Sequence, residues 1–533
     1  MIPEDSAAFA MRLESHFGDR VVRCFSDRPG SVHAMFRETV KRRGGQEALV
    51  CGSTRMTWDE LHDAAMRFGA GLKERGVRQG ERVVLLLGNR TEFVIAALGV
   101  MAIGAIIVPV STREKTPGLT YLFNHCGAVA VVHDGALGGL LPAATHAPAV
   151  RLRIAADPFA GSEDFSGLLR SIPLDNAASV EEEDVAAILY TSGTTGKPKG
   201  AMLTHFNIVH SAMHYELVMG LNAQDRAAVV VPLSHVTGLV ALMLATVRCG
   251  GALIVVPEFR APDFLQLASQ ERMSMTIMVP AMYNLCLMQE DIGRHDLSAW
   301  RIGGYGGAPM PLATIRSMAQ AFPDLTLINA YGATETTSPA TMTLPGDAGT
   351  RGESVGKAVP CGEILIVDEA GRELPCGEAG EVWLRGPMVV KGYWDNPAAT
   401  ASNFTGGFWH SGDIGSLDRD GYLSVFDRRK DMLNRGGYKI YSVEVENVLV
   451  AHPAVIEAAV VGKPCPVLGE RVHVFVSIAS AVSERELASF CAQRLADYKV
   501  PESFTIQSEA LPRNPNGKLL KRELRDRIVP PDA

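Results

Sequence analysis

The chain has 533 residues, too many for one ordinary hydrophobic core, and two or more domains are expected. Its composition, 47% apolar and 21% charged, is that of a soluble globular protein, and a net charge of −8 argues against a nucleic-acid partner. Nine scattered cysteines with no C-x-x-C pair give neither a zinc site nor a disulfide framework, and suit reduced thiols in a cytoplasmic protein.

The N-terminal residues, with early acids and no apolar core, do not read as a signal peptide. A first series of elements follows: strand 82–88, helix 91–102, strand 105–110, helix 116–126 and strand 128–133. Within it, Phe93 to Val110 is uncharged and apolar enough to imitate a membrane span. Gly104 divides this run into a buried helix and a buried strand, so no integral membrane association is expected. Residues 133–149 read as a small-residue loop with a short helix.

A second series has strand 186–190, helix 204–219, strand 227–232, helix 238–249 and strand 252–257. It continues with helix 261–272, strand 275–280, helix 281–290 and strand 325–329. Continuous apolar strands alternating with helices predict parallel sheets covered on both faces. From about Gly346 the texture is antiparallel, with a hairpin expected to turn at Asp420-Gly421. Beyond Arg428 come helix 443–451, strands 455–462 and 471–478, helix 483–496 and an irregular tail. The expected fold is therefore α/β. A large N-terminal domain, 1–428, holds two parallel βα sheets plus a small β subdomain, and a small α+β domain spans 429–533.

The chemistry-bearing motifs follow strand ends. "YTSGTTGKPKG", Tyr190 to Gly200, sets three glycines, four Ser/Thr hydroxyls and two lysines after an apolar strand. That is the composition of a phosphate cradle, though not the spacing of a Walker A loop. "PLSHVTGL" presents His235, which by itself reads as a core histidine. "GGYGGAPMP" permits close approach of a flat ligand, and "NAYGATETTS" offers Tyr331, Thr334 and Glu335. These three clusters sit at the expected C-terminal ends of parallel strands, where open α/β sheets bind ligands. "HSGDIG" supplies Asp413, a match for a ribose diol, and Arg428 can reach ribose or phosphate. Lys518 stands in the turn "NPNGK".

In order and wording these motifs, with "DRRKD" and "NRGGYKIYSVEVE", resemble the adenylate-forming superfamily of acyl-CoA synthetases, adenylation domains and luciferases. The resemblance runs from about Trp58 to Arg522. It implies activation of a carboxylate by ATP to an acyl-adenylate, then acyl transfer to a thiol, with Mg²⁺ and coenzyme A as cofactors. It implies that Thr191, Ser192, Gly193, Thr194, Thr195, Gly196, Lys197 and Lys199 wrap the β- and γ-phosphates. Gly307, Ala308 and Pro309 would lie along the adenine, with Tyr331 stacked on it beside Gly332. Thr334 would contact the α-phosphate, Glu335 with Thr195 would hold Mg²⁺, and Asp413 and Arg428 the ribose hydroxyls. Lys518 would bridge the substrate carboxylate and the α-phosphate. The small C-terminal domain would be mobile, turning about Lys430 to bring the 436–440 loop, with Gly437 and Lys439, beside a pantetheine tunnel. His235 would stand at that tunnel. Lys439 stands where several relatives carry Gln or Asn, and Asn434 where some carry Lys.

The acyl pocket is expected from His235, Val236, Thr237, Gly303, Gly304, Tyr305, Thr337 and Ser338 with their neighbours. None of these segments contains Arg or Lys, so a second carboxylate would be buried unpaired, and a neutral aliphatic or aryl acid fits better. Fewer than twenty residues follow Lys518, which favours coenzyme A over a fused carrier. The alternative is a standalone adenylation enzyme loading a separate carrier protein. A luciferase-like oxidation and a nucleotide-binding protein without catalysis are further alternatives. Monomer and homodimer both remain open.

Overall fold

The computed structural model describes residues 9–191, 197–308, 310–513 and 519–528. Two compact units result. The first comprises Met1–Ile364, Trp383–His410 and Gly421–Leu423, and the second Leu365–Val382, Ser411–Asp420 and Ser424–Ala533. Contacts thus group 365–382 and 411–420 with the C-terminal segment.

The first unit holds two large sheets. In the seven-stranded sheet the order is Lys199–Thr204, Val185–Thr191, Ile106–Pro109, Arg82–Leu86, Ala128–His133, Leu152–Ala155, Glu163–Asp164. All neighbours are parallel except the first two strands, an antiparallel pair that brackets the Gly/Ser/Thr loop and matches Thr191 with Lys199. The apolar run 93–110 divides as expected. Helix Thr91–Ala102 is buried almost all round, Gly104 turns at φ +68°, and strand Ile106–Pro109 follows. Its packing partner is helix Trp58–Glu74, started by a reciprocal Thr57–Glu60 cap. The two helices approach so closely that a Cβ on Gly99 would lie 2.6 Å from the Ala65 carbonyl. Among the described residues, no helix is long and apolar enough to cross a membrane.

The nine-stranded sheet has a parallel centre, Thr326–Tyr331, Ile302–Tyr305, Met275–Met278, Arg226–Val229, Ala252–Val255 and Glu47–Cys51, with short antiparallel strands at each edge. One expected helix differs in kind. Residues 237–244 wind as a π-helix and become α-helical only at Ala245–Cys249. Single π turns are the common form, often at functional sites, so eight residues is a long example. An N-terminal hairpin, Met11–His16 with Arg20–Phe25, adds to the expected elements.

In the second unit, Val455–Cys465, Gly469–Ile478, Leu433–Arg435 and Tyr438–Ile440 form an antiparallel sheet, to which Ser503–Gln507 adds in parallel. Helices Ser442–Val450 and Glu484–Ala492 close its core around Val460, Val474, Val445 and Leu487. The tail expected to be irregular instead supplies that fifth strand and helix Lys521–Ile528. Leu524 is that helix's one fully buried side chain, which leaves a weak sequence signature.

Candidate active site

Strand Val185–Thr191 buries Ala186 to Leu189 and delivers the chain to the Gly/Ser/Thr loop at Thr191. Ser192, Gly193, Thr194, Thr195 and Gly196 lie outside the described residues. The loop stems are fixed by aromatic side chains. The Tyr190 hydroxyl pairs with His125 Nδ1 at 2.8 Å, and the Tyr121 hydroxyl donates to the Pro198 carbonyl at 3.1 Å. Lys197 lies 6.0 Å from the Tyr121 ring centre, and Lys199 5.0 Å from that of Tyr393.

The nine-stranded sheet brings the next two motifs to one edge. Gly306 must be glycine, because a Cβ would lie 2.4 Å from the Ala330 carbonyl of the neighbouring strand. Gly307, at φ +76°, and Ala308 are exposed at the strand end, and Pro309 lies outside the described residues. Tyr331 closes its strand half-buried, and Gly332 and a short 3₁₀ turn, Thr334–Thr336, follow. Thr337 and Ser338 then adopt φ of +51° and +92°. A β-branched residue there is strained, and such strain persists only where the surroundings impose it. Here the backbone imposes it, Thr337 N–H donating to Thr334 O at 3.0 Å and Ser338 N–H to Ala333 O at 3.2 Å, while the Tyr215 hydroxyl lies 2.7 Å from Ser338 Oγ.

Glu335 is where the two sheets converge. Its side chain is buried, and Oε1 accepts hydrogen bonds from Tyr393 at 2.9 Å and Thr191 at 3.3 Å. Burial first, and then the Glu335 charge, push the Tyr393 phenol well above its usual range, so it stays a donor. Among the described residues Oε2 accepts no hydrogen bond. A buried carboxylate held through one oxygen, with no described residue hydrogen-bonded to the other, fits a hard divalent cation such as Mg²⁺. Sequence reading missed Tyr393, because "KGYW" carries no signal of its own.

His235 is half-buried. Its N–H donates to Pro232 O at 3.0 Å and its carbonyl accepts from Leu239 N–H at 2.9 Å, with Val236 and Thr237 also half-buried. A Cβ on Gly238 would lie 2.3 Å from Pro232 O, so the turn into the π-helix requires glycine. Asn89, from the other sheet, steadies this turn: Oδ1 accepts Leu233 N–H at 2.8 Å, and Nδ2 donates to Val231 O and Val256 O. At Gly303 and Gly304 the space that a side chain would need is taken by neighbours. A Cβ at Gly303 would lie 3.0 Å from both Tyr283 Oη and Leu327 Cδ2, and one at Gly304 2.7 Å from Ile277 Cγ1. Tyr305 is itself buried. These glycines let strands and side chains pack before they serve any ligand.

A cavity of about 890 Å³ lies elsewhere in the same unit, around Arg90. Its guanidinium is already matched by Glu92 at 2.7 Å, Asp134 at 2.9 Å and Asp157 at 2.7 Å. The lining contains none of the predicted site residues, and the chemistry is better sought at Glu335.

In the second unit Asp413 is buried and ion-paired, its Oδ1 2.8 Å from Arg428 Nε, so the two predicted ribose ligands form one pair. Lys430 is exposed, and its carbonyl accepts from Arg525 at 3.0 Å. Gly436 and Gly437 turn the hairpin between Leu433–Arg435 and Tyr438–Ile440 with φ of +59° and +91°, as a type I′ turn demands. Asn434 finds a structural role there, since its Oδ1 accepts the Gly437 N–H at 3.1 Å; Lys439 is exposed opposite it. Lys518 lies outside the described residues. The chain on either side of it is held: Arg513 pairs with Glu457, and Lys521 lies 2.6 Å from Glu446 and donates to Ser442 Oγ at 2.7 Å.

Comparison with known proteins supports the same chemistry. The profile of the AMP-binding enzyme family matches residues 36–394, and that of the AMP-binding enzyme C-terminal domain matches 444–518. The long-chain-fatty-acid–CoA ligase FadD13 of Mycobacterium tuberculosis is 34% identical over 500 residues, which covers 92% of this chain and 96% of that protein. A feruloyl-CoA synthase of Amycolatopsis sp. is 35% identical over 484 residues, covering 90% and 95%. Among solved structures, the anthranilate CoA ligase AuaEII with anthranoyl-AMP superposes with a TM-score of 0.87 at 28% identity, over 93% of this chain and 97% of that one. The O-succinylbenzoate coenzyme A synthetase MenE of Bacillus subtilis, with ATP and magnesium ion, gives 0.83 at 29%, over 93% and 98%.

Proposed function

The chain belongs to the AMP-binding enzyme family, and from that premise we infer an ATP-dependent carboxylate–CoA ligase that forms an acyl-adenylate and transfers its acyl group to coenzyme A. ATP, Mg²⁺ and coenzyme A are its cofactors. The observation that carries the site is the convergence of Thr191 and Tyr393 on Glu335 Oε1. It joins the end of the phosphate-type loop to the "YGATE" motif.

The chemical need is plain: a carboxylate is a poor electrophile, and AMP leaves far more readily than oxide. In this reading the stems at Thr191, Lys197 and Lys199 hold the loop against the β- and γ-phosphates. Gly307 and Ala308 admit the purine, Tyr331 stacks on it, and Asp413 with Arg428 takes the ribose. Mg²⁺, when bound, neutralises phosphate charge, and Glu335 would hold it with Thr195. Lys518 stabilises charge as the acyl–phosphate bond forms, a preorganised electrostatic role rather than proton transfer. Rotation about Lys430, between 1–428 and 429–533, then exchanges Lys518 for the Gly437–Lys439 turn. His235 guards the thiol path.

A neutral acid, aliphatic or aryl, is the substrate class, since the segments around His235, Tyr305 and Ser338 offer no cation for a second carboxylate. Location in the cytoplasm accords with nine free cysteines. The test is acid-dependent release of AMP and pyrophosphate, with and without coenzyme A, across fatty acids, benzoates, cinnamates and malonate. Coenzyme A-dependent turnover of one neutral class supports the reading. Adenylate that coenzyme A cannot discharge would transfer the enzyme to a carrier-protein role, and preference for malonate would overturn the pocket argument.

A further inference from the structure

We propose that Tyr393 is a positioning residue for the nucleotide chemistry, one side chain that fixes both the cation-facing carboxylate of Glu335 and the ammonium of Lys199. The inference rests on the reading of Glu335 given above.

Tyr393 is remote in sequence from both groups, and the backbone explains how it reaches them. Residues 392–394 add along the edge of the seven-stranded sheet. Ala201 bridges Tyr393 antiparallel, Trp394 N–H donates to Gly200 O at 2.7 Å, and Met202 N–H donates to Gly392 O at 3.1 Å. Gly392, at φ +151°, packs against Thr400, whose Oγ1 accepts the Tyr393 N–H at 3.0 Å. The tyrosine is therefore held at both its backbone and its ring, with only 4% of its surface exposed.

What it does with that rigidity is specific. A tyrosine buried only for packing satisfies its hydroxyl on whatever carbonyl is near. Tyr393 instead donates to Glu335, and to the same oxygen that Thr191 uses. Two donors on Oε1 prevent the carboxylate from turning and leave Oε2 as the oxygen that can meet a cation. The ring meanwhile lies 5.0 Å from Lys199 Nζ, a cation–π distance, and so steadies the lysine at the loop's far stem. One residue thus couples the two sides of the phosphate site.

The experiment separates this from a packing role by comparing metal-loaded and metal-free nucleotide. Tyr393→Phe keeps the ring and removes the hydroxyl, whereas Tyr393→Leu removes both. ATP binding to the full chain is measured by titration calorimetry with Mg²⁺ and again with a chelator. Pyrophosphate exchange is measured as a function of Mg²⁺. Tyr393→Phe should weaken Mg·ATP binding and raise the Mg²⁺ needed for half-maximal exchange by about 10- to 100-fold, the usual cost of losing an outer-shell partner. Metal-free ATP binding and KM for the acid should not move. Tyr393→Leu should weaken metal-free ATP binding as well, because Lys199 loses its ring. Equal losses in both nucleotide forms for Tyr393→Phe, or none in either, would overturn the proposal.

Thr191→Val removes the other donor to Oε1 and should shift the Mg²⁺ requirement in the same direction, which keeps the test decisive if a Tyr393 variant folds poorly. Glu335→Gln distinguishes the two levels of failure. If it moves the Mg²⁺ requirement while Tyr393→Phe does not, the positioning role alone is lost. If Glu335→Gln leaves that requirement unchanged, the reading of Glu335 fails and the inference fails with it.

Discussion

Gly332 lies directly beneath the backbone of Ser338: a Cβ on Gly332 would sit 1.6 Å from the Ser338 carbonyl oxygen. The turn that carries Thr334 and Glu335 is thereby closed on itself. Gly332→Ala cannot be accommodated without moving that turn. We expect it to lower acid-dependent pyrophosphate exchange by roughly 100-fold, as displacements of about 1 Å in a reacting site do. Circular dichroism should show an intact fold. Near-normal exchange would mean that the Glu335 turn is not part of the site.

Lys518 and Gly437 should separate the two half-reactions. Lys518→Ala removes the charge that the first half-reaction needs, and adenylation should fall by about 10²- to 10³-fold while ATP still binds. Acyl transfer from preformed acyl-AMP to coenzyme A should persist. Gly437→Ala puts a side chain at φ +91°, at a conformational cost of about 1–2 kcal/mol, and should slow transfer while sparing adenylation. Half-reactions lost together in both variants would count against domain alternation.

Lys521 is the main counter-charge in a cluster of acids inside the second unit. Its ammonium lies 2.6 Å from Glu446, and Ser442, which accepts its hydrogen bond, donates its backbone N–H to Asp427. Burial pushes both carboxyls up, and the lysine opposes that shift. Lys521→Met should destabilise the chain by about 3–5 kcal/mol, because it leaves buried acids without a counter-charge. The denaturant midpoint reads this. Pairing Lys521→Met with Glu446→Gln should restore part of the loss.

Acid should weaken the first unit through its buried histidines. His214 is fully buried against Phe25 with neither ring nitrogen hydrogen-bonded among the described residues, although the Pro360 carbonyl lies nearby, and burial lowers it to about 3. His33 and His205 are lowered to about 4 by burial, and His210 well below its usual value. Each accepts a proton in the unfolded chain near pH 6.5 but not in the folded one. Stability is therefore full above that pH and falls as pH drops toward the folded values. Each such group contributes about 1.4 kcal/mol per pH unit in that window. His214→Leu should move the acid-unfolding midpoint to lower pH. An unchanged midpoint would show that His214 is not among the groups that set it.

Much of this molecule was legible in the chain alone. Apolar strands alternating with helices predicted parallel sheets, and the motif order predicted the family, because hydrophobic period and glycine-rich strand ends are local properties. The split of 93–110 at Gly104 was also local: the position needs φ +68°, and only glycine adopts that without strain. What the tertiary structure decided was which distant residues share an atom. Tyr393 and Thr191 meet on Glu335 Oε1, and Tyr215 meets Ser338, because separate chain segments pair along sheets and pack across them. The tail helix and its Lys521 contact were likewise hard to read, since six of its eight residues are charged and only Leu524 and Ile528 pack against the core. Even the glycines of "GGYGG" changed meaning. They read as places of close approach to a ligand, and at Gly303, Gly304 and Gly306 they are also places of close approach to neighbouring side chains and a strand carbonyl, which sequence adjacency does not reveal.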